Sequence, residues 1–232
     1  MKKLVMLVEG EGDRDAIPCL VKRLITDQKA WESVVLDKEP PLIVGEIPGL
    51  VKNECAEWRR YLKLAVKTRR NAAGLLVVLD GDAQKILGQP FCARDVAFLL
   101  SEAARDVGAG SVFSLAVVIA CLEYESWLIA GVESLAGKKS NQGFGGVRAG
   151  TPRYEGNVEQ SPRAAKQWMS RVMESAYKPT IHQELLTSMI DLDVVRTKNV
   201  RSFQRMESAV SQIIAAFRSS AHVVTPRGVA PE

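Results

Sequence analysis

The sequence predicts an α/β fold, a mainly parallel sheet with flanking helices, continued by an α-helical C-terminal part. Three observations carry this reading. Leu75 to Leu79 is an unbroken run of large aliphatic residues, which suits a strand covered on both faces, as in a parallel sheet with helices on either side. Lys3–Val8 and Val112–Ala120 are further apolar runs of strand length. The segments between and after them place apolar residues at helical spacing.

In chain order, the Lys3–Val8 strand is followed by the tight turn Glu9-Gly10-Glu11-Gly12-Asp13 and an amphipathic helix through about Thr26. Pro18 is tolerated in a first helical turn, so this helix is expected to begin a few residues after Asp13. Short strands at Val34–Leu36 and Leu42–Val44 flank the Pro40-Pro41 break. From Leu50 to Arg70, the residues Leu50, Cys55, Trp58, Tyr61, Leu62, Ala65 and Val66 have helical spacing, and Asn71 and Gly74 are expected to end the helix. After the central strand comes a loop holding Gly88 and Pro90, then a helix from Ala93 to Val107 closed by Gly108 and Gly110. The third strand leads through Cys121–Ala130 into a short helix. Residues 137 to 160 show no periodic pattern and read as a long loop. Helices then follow at Pro162–Ala176, Thr180–Ile190 and Arg201–Phe217, and the tail from His222 is expected to fray. The organisation expected is a metal-binding domain over residues 1–132, a flexible Gly-rich loop over 133–160, and a helical subdomain over 161–221 packed on the core.

The totals narrow the chemistry. In 232 residues, 47% hydrophobic and 25% charged, there is material for a globular core. No apolar run approaches the ~20 residues of a membrane span, and Glu9 cuts short the N-terminal apolar stretch, which reads as a strand rather than a signal peptide. A cytoplasmic protein without a membrane partner is expected. The cysteines Cys19, Cys55, Cys92 and Cys121 lack zinc-ligand spacing and are expected to be reduced and buried. With only His182 and His222 present, zinc or histidine-centred chemistry is disfavoured and catalysis would rest on carboxylates. A net charge of +4 and a pI near 8.9 permit a polyanionic partner, and the basic residues are frequent from Lys138 onward. Trp58, Trp127 and Trp168 lie in helical apolar patterns and read as core anchors.

Three acidic pairs, Glu9 with Asp13, Asp80 with Asp82, and Glu123 with Glu125, each follow an apolar strand. Open α/β sheets bind ligands beyond the carboxyl ends of their strands. If these strands are neighbours, the acids converge, and carboxylates held together repel unless a cation lies between them. Oxygen-only ligation suits Mg2+ or Mn2+.

The pattern Glu9-Gly10-x-x-Asp13 followed by Asp80-x-Asp82 resembles the Toprim domain of topoisomerases, primases and the overcoming-lysogenization-defect (OLD) nucleases. Glu123-x-Glu125-x-Trp127 and Tyr177-Lys178-Pro179 look like a family of uncharacterised bacterial proteins with this Toprim core. The sequence departs from the pattern at Gly12, where many relatives carry Ser or Thr, and at Asp13, where Glu is common. The resemblance implies a Toprim-like sheet and a metal-dependent nuclease acting on DNA or RNA. Glu9 would be the general base or a metal-associated acid, Asp80 and Asp82 would hold the cation, Asp13 would support a second ion, and Glu125 would be a further ligand. Lys178 is the basic candidate for a phosphate, since an ammonium can neutralise developing charge. Arg196, Lys198, Arg201 and Arg205 are the candidates for backbone phosphates. No topoisomerase tyrosine is indicated, which favours hydrolysis. The resemblance also implies an ATPase partner and a role in anti-phage defence; the chain has no P-loop of its own. A non-catalytic partner that binds a metal or a protein is the alternative from a different class. A receiver-like module modified at Asp80 is a third, disfavoured by the length of the chain.

Overall fold

The computed structural model describes residues 2–139 and 145–227. Its strands are β1 (Lys3–Val8), β2 (Val35–Leu36), β3 (Leu42–Ile43), β4 (Ala72–Gly81), β5 (Lys85–Ile86), β6 (Gln89–Pro90), β7 (Ser114–Cys121) and β8 (Val224–Thr225). Its α-helices are α1 (Asp13–Asp27), α2 (Ile47–Thr68), α3 (Ala93–Arg105), α4 (Glu125–Ala130), α5 (Ala165–Val172), α6 (Pro179–Met189), α7 (Leu192–Thr197) and α8 (Arg201–Ser219). The main sheet has the order β2-β1-β4-β7-β8, and β3 also pairs with β1. All its pairings are parallel, so the α/β class and the parallel sheet with flanking helices are as expected.

Period-2 alternation divides the central strands between two cores. Leu4, Met6, Val8, Leu76, Val78, Ala116 and Val118 pack with α1, α4 and α8 on one face. Val5, Leu7, Leu75, Val77, Leu115 and Val117 pack with α2 and α3 on the other. Burial on both sides explains the unbroken aliphatic runs. Trp58 and Trp127 are fully buried, and the half-buried Trp168 packs against the core.

Several expectations are corrected. Helix α1 begins at Asp13, with Pro18 in its interior. The turn starts early because the Gly10 N–H donates to Asp13 Oδ2 and the Arg14 N–H to the Glu11 carbonyl; Pro18 costs only the helical bond to the carbonyl of residue 14, on a half-exposed turn. Gly74 lies within β4 rather than at a helix end. A Cβ there would meet the Phe217 ring at 2.9 Å, so glycine lets α8 close on the sheet. The loop after β4 contains the antiparallel β5–β6 hairpin, turned through Leu87 and Gly88, both with positive φ. Helix α2 is interrupted at Lys52–Cys55, which leave helical geometry. Helix α5 is shorter than expected because the backbone of residues 172–174 pairs with that of 146–148 instead. The tail is not frayed at Val224–Thr225, which complete the sheet as β8 beside Leu115 and Ala116; two strand residues are too few to register as a periodic pattern.

Of the Gly-rich segment expected to be flexible, residues 140–144 lie outside the described residues, among them Gly143 and Phe144 of the Gly-Phe-Gly-Gly run. All four cysteines are free thiols, but only Cys55 is buried and Cys92 is exposed. Among the described residues, no helix is long and apolar enough to cross a membrane.

Candidate metal centre

Because β1, β4 and β7 are consecutive neighbours in the sheet, the acids that follow them meet at its carboxyl edge. The register pairs Val8 with Val78 and Asp80 with Ala120, which sets Glu9 beside the end of β4. The Asp80 N–H donates to Glu9 Oε2 at 3.0 Å, so the backbone of one strand orients the acid of the next. The Tyr124 N–H donates to Asp80 Oδ1 at 2.9 Å. Asp13, at the start of α1, accepts at Oδ2 from the Gly10 N–H (3.1 Å) and at Oδ1 from Gln183 Nε2 on α6 (2.8 Å).

Glu9, Asp13, Asp80 and Glu125 line one cleft of about 330 Å³ together with Lys166, Pro179, Thr180 and Gln183. One oxygen each of Asp80, Glu123 and Glu125 can be chosen so that all three lie within 4.8 Å of one another. Glu125 is 1% exposed, and neither of its carboxylate oxygens has a hydrogen-bond partner of normal geometry, although the nearby Tyr177 hydroxyl and its own backbone N–H favour its charged form; Glu123 Oε2 also lacks a partner. Leaving such groups unpaired in a buried site is costly, and a hard divalent cation with oxygen ligands is the partner that this donor set fits. These residues could therefore hold a divalent metal.

The electrostatics agree. Burial raises the Glu9 carboxyl to about 7 against the opposing Asp80 N–H bond, with the charges of Asp82, Asp13 and Glu46 adding to the rise. Burial likewise raises Glu125 to about 7, with Lys166 opposing. Asp80 is pushed well above the carboxylate range by burial and by Asp13, Glu125 and Glu9. Asp13 is raised by burial, while Gln183 and the Gly10 N–H favour its charged form. Such mutual elevation marks acids crowded without a full complement of positive charge.

Not every expected residue joins the cluster. Asp82 is exposed and lines an adjoining cleft of about 540 Å³ with Phe91, Leu122 and Arg163. Lys178 caps α6 with an exposed side chain. The ammonium among the carboxylates belongs instead to Lys166 of α5, 2.5 Å from Glu123 Oε1. Arg196 is held by Asp27, Asp193 and Glu207 and Lys198 by Glu133. Arg205 is half-buried and donates to the Val117 carbonyl at 3.4 Å, while Arg201 is exposed at the start of α8. Lys166 and Gln183 were not singled out from sequence, and Tyr177 only as part of the Tyr177-Lys178-Pro179 motif, with no role at the site. The Tyr177 hydroxyl is buried without a hydrogen bond of normal geometry, although it is coupled electrostatically to Glu125, which together with burial raises its pKa.

Gly12 now has a physical account. A Cβ at this position would lie 2.5 Å from Gln183 Oε1 and 2.6 Å from Pro179 Cβ. Glycine is what allows the first turn of α6 to close on the acidic turn and bring Gln183 to Asp13.

Fold and site together define an α/β protein with a carboxylate cluster at the carboxyl edge of a parallel sheet. The chain belongs to the family described as Domain of unknown function (DUF4276), whose model matches residues 8–211; that span includes every residue of the cluster. Among solved structures, the chain is similar to the C-terminal region of the Burkholderia pseudomallei OLD protein, with 15% identity and a TM-score of 0.32, over 95% of this chain and 98% of that one. No curated protein matches.

Proposed function

We propose that the protein is a divalent-metal-dependent phosphodiester hydrolase acting on DNA or RNA, with Mg2+ or Mn2+ held at the carboxyl edge of the sheet. The observation that carries this reading is Glu125, buried with neither oxygen in a hydrogen bond of normal geometry, and with oxygens of Asp80 and Glu123 within 4.8 Å. The motif resemblance to Toprim and OLD nucleases supplies the reaction class. When bound, the metal would act as a Lewis acid on a phosphodiester and lower the pKa of attacking water.

The chain's own residues divide the remaining work. Asp80, Glu123 and Glu125 would hold the cation. Asp13, fixed by Gln183 and the Gly10 N–H, supports the site from α1. Glu9, with a carboxyl near 7, is suited to take a proton from water at neutral pH, where a general base is most effective. Asp82 and Arg163 line the adjoining cleft as the path for a strand, and exposed Arg201 is the basic residue best placed to meet a phosphate, since Arg196 and Lys198 are engaged within the chain. An ATPase partner and a defence role follow from the resemblance and belong to the proposal.

The test is cleavage of supercoiled, linear and single-stranded DNA and of RNA with Mg2+, Mn2+ or chelator. Metal-dependent cutting that is lost in Asp80→Asn is expected. Cutting that persists in chelator, or in Asp80→Ala combined with Asp82→Ala, would overturn the reading. A second reading, a non-catalytic binding partner, is favoured by one observation: Lys166 already pairs with the acids. Retention of a co-purifying protein that depends on these acids, with no cutting of any substrate, would support it.

A further inference from the structure

The oxygens that could close on a metal already surround a cation. Lys166 Nζ lies 2.5 Å from Glu123 Oε1, 3.8 Å from Glu125 Oε2 and 3.9 Å from Asp80 Oδ2. Only the first contact is a hydrogen bond; the other two are ion pairs that leave both Glu125 oxygens without a hydrogen bond of normal geometry. One ammonium thus neutralises the triad incompletely. A divalent ion with ligand bonds of about 2 Å and several ligand positions would satisfy it better.

The two cations exclude each other. A divalent ion within the triad and an ammonium a few ångströms away repel strongly where water is scarce. Lys166 can yield. Its side chain is 43% exposed, whereas the anchorage of α5 comes from its buried neighbours Ala165 and Met169, so the ammonium can rotate outward without unpacking the helix. It also lines the cleft with Glu9, Asp13 and Thr180, which gives it a place to go.

We propose that Lys166 is the resident counter-ion of the Asp80–Glu123–Glu125 triad, and that a divalent cation binds by exchange, taking the carboxylates and releasing the ammonium into the cleft. This inference rests on the metal reading above. Its consequence is an order of events: until metal enters, the positive charge of Lys166 is committed to the acids, and an anionic ligand meets a free ammonium only afterwards. The two binding events are linked.

Calorimetric titration with Mn2+ at pH 8 tests the exchange. Lys166→Gln removes one charge-assisted competitor and is expected to bind Mn2+ about tenfold more tightly than wild type. Lys166→Arg keeps the charge and is expected to stay close to wild type. Lys166→Gln binding equally or more weakly, while wild type binds, would overturn the exchange and leave the metal site standing. Absence of Mn2+ binding in every form would overturn the metal reading and the exchange with it. A second measurement needs no variant: amine acylation of the wild-type protein, read by mass spectrometry, is expected to be faster at Lys166 with Mn2+ than with chelator. An unchanged or slower rate with Mn2+ bound would contradict release of the ammonium.

Discussion

Neutralising Glu125 with the isosteric substitution Glu125→Gln should change how stability responds to pH. The Glu125 carboxyl is raised from an ordinary 4.5 to about 7 by burial, so the metal-free folded chain holds this proton more tightly than the unfolded chain. The stability contributed is fully present below pH 4.5 and is lost as pH rises through about 7. At 1.36 kcal/mol per pH unit the whole effect is about 3 kcal/mol, of which about 2.5 kcal/mol falls between pH 5 and 8. Because Glu125 is 1% exposed, little of this is screened. Urea unfolding followed by circular dichroism, in chelator at pH 5, 6, 7 and 8, reads the effect directly. Wild type is expected to lose stability across this range, and Glu125→Gln to lose less by most of that amount. Saturating Mn2+ at pH 8 should restore the wild-type loss, since the metal replaces the proton. Wild-type stability that is flat or rising in chelator, or a variant with the full wild-type slope, would refute the assignment of Glu125 as a buried acid that holds its proton in the metal-free fold.

Further outcomes follow from the same geometry. Gln183→Leu leaves Asp13 Oδ1 without its donor and should weaken Mn2+ binding measurably, with about 1–2 kcal/mol lost in urea unfolding. Gly12→Ala drives a Cβ into Pro179 and Gln183 and should cost about 1–3 kcal/mol, with a lowered melting temperature. Arg201→Ala should weaken nucleic-acid binding and reduce the salt slope by about one unit. Arg196→Ala should instead lower stability, because three carboxylates lose their shared partner, with little effect on the salt slope. Equal salt slopes for the two arginine variants would contradict this division.

The sheet was legible because burial on both faces writes itself as aliphatic runs, and the ends of β1, β4 and β7 were legible because acids interrupt those runs abruptly. Adjacency of the three strands was the condition on which convergence of the acids depended, and the parallel order β1-β4-β7 meets it. Lys166 and Gln183 were not legible as site residues. Each lies in a helical segment far along the chain and reaches the acids only through the docking of α5 and α6, which leaves no local spacing signal. Gly12 stood out as a departure from a family pattern, but its cause is a contact with Pro179 that sequence does not display. Asp82 was grouped with Asp80 through the Asp80-x-Asp82 pattern at the strand end. The chain leaves the strand at that point, so neighbours in sequence face different clefts. The β5–β6 hairpin and β8 were missed for a simpler reason, since two-residue strands carry no period.

The most direct test of the metal centre is a crystal structure of the protein grown with Mn2+, read by anomalous scattering. An anomalous peak bonded to Asp80, Glu123 and Glu125, with the Lys166 ammonium displaced from the triad, is the predicted result. Full-occupancy Mn2+ elsewhere in the chain, with Lys166 still 2.5 Å from Glu123 at saturating metal, would contradict it.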